Sequence, residues 1–468
     1  MRRNALTIGI IAATTGLLAA CGGDDDDNGS AAQAEVRAIH ASSNAPDVNI
    51  TFDGDVAVED LAFATASDSL GVDPGTFAVT VDAITPNGDT QVITADVPLE
   101  ADQETTIIAL GNVGGSGDLA LAPLVVTAPD ADPAAGEVRV QVVHASAAAA
   151  ASGPLDVYVT APADVLADAE PIGTFEFKGS LEPVTVPAAD YRIRVTPEND
   201  TGTVVFDSGT VSLAGGADLV ISAIDNVGPE SAPVRLLVAP EGADSFLLLD
   251  DDAETAVGVG HLSADTPNVD VALDGNFSPP AFENIPFPSV TDFTEVPAGT
   301  YDIDVAATGN TASAVDADGV ELTAGERYTG YAVGLIGGSP SLDLIFSQDD
   351  IRSVATEARL RVIHAASQVP TTDSAVDVYL TPAGTQAADL ATIDPTIEDF
   401  LYKDISAFLS VAPATYEVFV TPADTNVAAI GPVTVTLDAG DVTTAIAHDD
   451  ENDIGGSFAL LPVDETAR

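Results

Sequence analysis

Tryptophan is absent from the 468 residues, and cysteine and methionine occur once each. A single cysteine excludes an intramolecular disulfide. The lack of tryptophan counts against a sugar-stacking platform. Only two lysines occur, Lys178 and Lys403, and all basic residues together number 14 against 74 acidic ones, for a net charge of −60. Nucleic acid and anionic lipid head groups are therefore poor partners for the folded part. Charged residues make up 19% and hydrophobic ones 46%, which is not the composition of a disordered chain. Aromatics are few, while Val, Thr, Ala, Gly, Pro and Asp dominate, a mixture suited to strands separated by turns. No long amphipathic helical pattern is present, and the length calls for several domains.

The N-terminus reads "MRRNALTIGIIAATTGLLAAC". Two arginines precede an apolar run that is short for a bilayer span and ends in small residues, as a secretory signal does. Leu18-Ala19-Ala20-Cys21 resembles a bacterial lipobox, which implies a signal peptide over 1–20 and lipidation of Cys21. Residues 21–34, with "GGDDDDNGSAAQA", read as a flexible polar tether. By resemblance to enterobacterial sorting, Gly22 rather than Asp after the cysteine implies the outer membrane. No later segment is apolar and long enough to span a bilayer.

Histidine occurs five times, and four of the five lie in one repeated motif: "RAIHASS" (37–43), "QVVHASA" (141–147), "GVGHLSA" (258–264) and "RVIHAAS" (361–367). An alternating run follows each, as in "LDVYVTAP" and "VDVYLTP". A first aromatic recurs at Phe63, Phe177, Phe287 and Tyr402, and a second 14 residues later in every unit, at Phe77, Tyr191, Tyr301 and Tyr416. A turn leucine then recurs at Leu99, Leu213, Leu322 and Leu437, 21 or 22 residues after the second aromatic. The repeat has a second level. His40 to His261 is 221 residues and His144 to His364 is 220, and the loops are short in the odd units and long in the even ones. A two-domain segment duplicated whole accounts for this.

Period-two alternation makes each unit a set of strands. In "VRVQVVH" it puts Val138, Val140, Val142 and His144 inside and Arg139 and Gln141 outside. In "VDVYL" Val376, Val378 and Leu380 face inward, Asp377 and Tyr379 outward. About seven short strands per unit predict an all-β chain of four tandem immunoglobulin-like antiparallel β-sandwiches, over 35–129, 136–240, 255–348 and 357–468.

The succession Val-Arg-x-x-His-Ala-Ser, Val-Asp-Val-Tyr, Pro-Ala-Gly-Thr-Tyr, Leu-x-Ala-Gly resembles a bacterial extracellular β-domain family, domain of unknown function 4397. The resemblance covers nearly all of 35–468 as four copies. Unit three departs most, with "GHLSAD" and no arginine. The family implies a cell-surface or periplasmic sandwich and no known activity.

On the strand reading, His40, His144, His261 and His364 each end an inner row and are structural. A metal site needs three or four ligands, and no second ligand recurs at fixed spacing. His144 with Ser146 does not have triad geometry on one strand. No catalytic constellation is found. Acidic clusters in "LDDDAE" (249–254), "DADGVE" (316–321), "SQDD" (347–350) and "HDDENDIGG" (448–456) read as solvated surface, with Ca²⁺ the alternative, and His448 is expected at the surface. The expectation is a non-catalytic, lipid-anchored envelope protein serving as a spacer, adhesive or ligand-binding scaffold. It needs no cofactor, binds no nucleic acid, and meets the membrane through the lipid on Cys21, with no envelope protein or polysaccharide partner identified by the sequence. The alternative is a polysaccharide or small-ligand binding module beside an outer-membrane uptake system.

Overall fold

The computed structural model describes residues 33–369 and 375–468. Cys21 and the apolar run before it lie outside the described residues. Within them no helix is long and apolar enough to cross a membrane.

The chain forms four β-sandwiches. Their first strands are Ala34–His40, Glu137–His144, Thr255–His261 and Ala358–His364. Each sits inside its sheet, with short antiparallel edge strands on one side. On the other side each pairs in parallel with a late strand, respectively Gln103–Leu110, Asp218–Asp225, Arg327–Val333 and Val442–Asp449. This parallel pair is set among antiparallel neighbours. The second sheet of unit one is built from Val48–Phe52, Asp55–Leu61, Gly75–Ala83 and Thr90–Leu99, and the other units follow the same plan. Unit two runs past residue 240, because Phe246–Leu248 adds an edge strand against Val234–Pro240.

The inner rows pack as the alternation requires. Val138, Val140 and Val142 meet Val157 and Val195 in one core, and Val257 and Val259 meet Ile303 and Val305 in another. The turn leucines Leu99, Leu213, Leu322 and Leu437 are buried beneath their units. The second aromatic closes a corner. Tyr191, Tyr301 and Tyr416 donate their hydroxyls to the carbonyls of Pro187, Pro297 and Ala412, four residues upstream, at 2.8, 2.7 and 2.6 Å. This is the tyrosine corner of immunoglobulin-like sandwiches. Unit one has Phe77 there, packed edge-on to Phe52.

The outer rows depart from the sequence reading. Arg139 and Gln141 are buried, not solvated. The outer face of the first sheet in unit one packs on that of unit two, where Ile39, Ala41, Ile108 and Leu110 meet Val143, Ala145, Ile224 and Leu237. Units three and four join in the same way through Leu262, Tyr331, Val333, Ile363, Ala365 and Ile446. The motif strand is thus covered on both faces, which period-two alternation does not reveal. Asp377 and Tyr379 are also buried: the 3-10 turn Ala387–Thr392 brings Leu390 over Tyr379 and Phe419, and Asp377 accepts the amides of Asp399 and Asp424 at 3.0 and 3.3 Å. The longer loops of the even units supply this cover. In unit two Leu166 of the turn Leu166–Asp168 is likewise buried.

Candidate functional site

The motif histidines are held by the fold around them. His40 Nε2–H donates to the Pro46 carbonyl at 2.9 Å, and Nδ1 accepts from the Ser42 amide at 3.3 Å. His261 repeats this with Pro267 and Ser263, at 3.1 and 3.5 Å. In every unit the ring meets the first aromatic edge-on, with centroids 5.8 to 6.1 Å apart. The residue after that aromatic donates its amide to the histidine carbonyl in units one, two and four, from Ala64, Lys178 and Lys403, each at positive φ. Pro288 takes that place in unit three and has no amide to give.

Unit two differs. His144 is 3% exposed, and neither ring nitrogen meets a hydrogen-bond partner among the described residues. Burial pushes both His40 and His144 down to about 4, partly offset by the Pro46 carbonyl and by Asp225 respectively. Burial also lowers His261. Ser146 does not face His144. Its hydroxyl donates to Asp225 Oδ1 at 2.5 Å, and Ser43 of unit one donates to the other oxygen at 2.6 Å. Unit four repeats the link, with Ser367 on Asp449 at 2.7 Å. Sequence reading missed these serine–aspartate pairs. Their only signal is an Asp at the end of the late strand in even units, where odd units have Gly111 and Gly334.

The acidic clusters divide between turns and ion pairs. Asp349 accepts from Arg361, Thr329 and Ser347, and Asp350 pairs with Arg359 at 2.8 Å. Asp250 accepts the Asp207 amide at 2.8 Å. His448 is buried rather than exposed, because its ring packs edge-on against Phe287 of unit three at 5.4 Å. Among the described residues one set of three acidic side chains, Glu104, Asp218 and Glu241, brings its oxygens within 4.8 Å of one another. None of the four loops singled out in the sequence contributes to it. Two guanidiniums already meet this set: Arg37 contacts Glu104 at 2.8 Å, and Arg139 contacts Asp218. Their positive charge opposes a cation there.

All four units meet around a cavity of about 520 Å³, with Phe63, Arg235, Arg327, Arg352, Arg359 and Phe408 among its walls. This volume falls in the range of small-ligand sites. Arginines fasten the pairs together here. Arg352 donates to the Ser43 and Ala45 carbonyls at 3.1 and 2.7 Å, and stacks over Phe63. Arg327 donates to the Val227 and Gly228 carbonyls, both at 2.8 Å. Arg235 forms a two-pronged pair with Glu230 and reaches the Gly325 carbonyl at 2.7 Å. It passes so close to Gly228 that a Cβ there would fall 1.5 Å from its Nη2. Asp47, Asp225, Glu326 and Glu357 share the walls, so the cavity carries both signs of charge.

Unit three lacks the motif arginine, and another residue fills its place. Gly258 stands opposite Thr329 in the ladder, as Arg37 stands opposite Thr106 and Arg361 opposite Thr444. Arg468, after the last turn of unit four, lays its guanidinium over Gly258 and donates to Thr329 Oγ1 at 3.2 Å. It is held there by Glu465, the Thr291 carbonyl and the ring of Phe293.

These features define a class: a protein of paired β-sandwiches whose repeated polar residues bind one another. The chain belongs to the family described as Domain of unknown function (DUF4397), which matches residues 34–158 and 255–379. Each match begins at the first strand of an odd unit and ends within the second long strand of the next, Leu155–Thr160 or Val376–Pro382. No curated protein matches the chain. Among solved structures, the Bacillus anthracis TIE protein is similar at 9% identity with a TM-score of 0.14, over 90% of this chain and 69% of that one.

Proposed function

We propose that this chain is a non-catalytic, lipid-anchored protein of the bacterial cell envelope, a rigid β-sandwich scaffold that acts as spacer or adhesive. One observation carries the reading. The residues that recur through the units are consumed by internal contacts: histidine on the first aromatic, the tyrosine of units two to four on an upstream carbonyl, serine on aspartate or carbonyl. What the repeat preserves is architecture. The lipobox-like Leu18-Ala19-Ala20-Cys21 and the acidic tether support attachment at the N-terminus. Replacing Cys21 by Ser in the full chain tests the anchor. The expected result is release from membrane fractions and loss of labelling by a palmitate analogue. A variant that pellets and labels as the parent does overturns it.

The second reading is a small-ligand or polysaccharide module, and the four-unit cavity favours it. Its test is a thermal shift with a panel of oligosaccharides and small zwitterions. A shift abolished by Arg327→Ala would promote this reading over the first.

A further inference from the structure

The contact between units one and two contains an unbalanced set of charges. Glu104 and Arg37 project from neighbouring strands of unit one and are 2% and 3% exposed. Asp218 and Arg139 stand opposite one another in the first sheet of unit two. Glu241 follows the next strand, its amide bonded to the Asp218 carbonyl at 2.9 Å. Arg37 Nη1 reaches across to the Ala239 carbonyl of unit two at 3.2 Å. Arg139 is further held by the Ala131 and Pro129 carbonyls at 2.8 and 2.6 Å. The three carboxylates lie within 4.8 Å of one another and face two guanidiniums. The other charges near them are negative: Asp130 and Asp132 act on Glu241, and Glu35 is the ladder partner of Glu104. Glu104 and Asp218 are buried and Glu241 is half-buried, so when fully ionised the set keeps one uncompensated negative charge against a buried contact, which is costly.

The sister contact is balanced. Between units three and four, Arg361 meets Asp349 and Glu465, and Arg468 meets Glu465, giving two carboxylates for two guanidiniums.

We propose that the junction of units one and two is a proton-dependent contact, closed when one proton is held between Glu104 and Glu241 and loosened when that proton leaves. Burial, only partly offset by Arg37, pushes Glu104 up to about 7, and burial with Asp218 raises Glu241. The sign follows. Between the ordinary glutamate range and about 7 the closed contact holds a proton that the open one has lost, so closure weakens as pH rises through that window. Above it both states are ionised and the loss is complete.

Hydrogen exchange on the full chain tests this, because units three and four serve as an internal reference. Protection in Ala34–His40 and Asp218–Asp225, corrected for intrinsic rates, is compared with that in Ala358–His364 and Val442–Asp449. From pH 5.5 to 8.5 the first set should lose protection relative to the second by on the order of tenfold, the effect of one pKa unit. Glu104→Gln should abolish the difference while retaining the Arg37 contact, and Glu241→Gln serves if that variant fails to fold. An equal response in both pairs, or an unchanged one in the Gln variants, overturns the proposal. So does recovery of alkaline protection by Ca²⁺ or Mn²⁺ in the parent alone, which would make the cluster a cation site.

Discussion

His40 and His144 occupy the same place in the repeat and have different surroundings. His40 is satisfied at both nitrogens, whereas His144 meets no hydrogen-bond partner among the described residues. His40→Ala should therefore lower stability by about 1–3 kcal/mol, through a lost buried bond and a lost ring contact. His144→Leu, which removes two unpaired polar atoms, should be neutral or stabilising by up to about 1 kcal/mol. Denaturant titrations compare the two. Both rings are pushed down to about 4, so the folded state binds fewer protons than the unfolded one between there and 6.5. Their contribution is present at neutral pH and lost as pH falls through that window, and His144→Leu should flatten part of the acid loss. This is opposite in sign to Glu104, so the molecule is weakened from both sides of a mildly acidic optimum.

At the scale of the element, the tyrosine corner gives a test that adds a contact. Unit one has Phe77 where the other units have tyrosine, and the carbonyl four residues upstream belongs to Asp73. Phe77→Tyr should stabilise the protein by about 0.5–1 kcal/mol, seen as a raised denaturation midpoint. No gain would mean that the Asp73 turn does not take the geometry of its counterparts. The strands and the repeat were legible in the sequence because they depend on local periodicity: valines at every second position, a second aromatic at constant spacing, a leucine before each turn. The cover on the outer faces was not. Alternation separates two faces and does not say which is wet, so Arg139 reads as solvent-facing although a sister sheet lies over it. The Glu104, Asp218 and Glu241 cluster has no local signal at all, since its members come from different units and meet only through domain packing. Gly258 could be read as a loss but not as a space occupied by Arg468.

For the whole molecule the net charge of −60 dominates. Most arginines are spent at sheet faces and junctions, and only a few surface carboxylates, such as Asp207, Asp343 and Asp350, have a cationic partner. Like charges across four packed sandwiches repel, and about 1 M salt shortens the Debye length to roughly 3 Å. The melting temperature should rise with NaCl in graded scans. Because the acidic loops are engaged in turns and ion pairs, millimolar Ca²⁺ should add little beyond its ionic strength. A flat response to NaCl would show that the surface charge is too dispersed to matter, and a large Ca²⁺-specific rise would show that a loop gathers around the ion.

Because each histidine strand is covered on both faces, a lone sandwich should be less stable than the pair. Cut free of its sister, unit one would open Ile39, Ala41, Ile108 and Leu110 to water and strand Arg37 without its Ala239 acceptor. The two-sandwich pair should therefore be the smallest fragment that melts as one, and a single sandwich expressed alone should unfold at lower denaturant than the pair. That pair is also the stretch that duplicated, with 221 and 220 residues between equivalent histidines. If the pair melts as one, the unit of inheritance and the unit of cooperativity coincide, and a second copy of it carried its own complete interior.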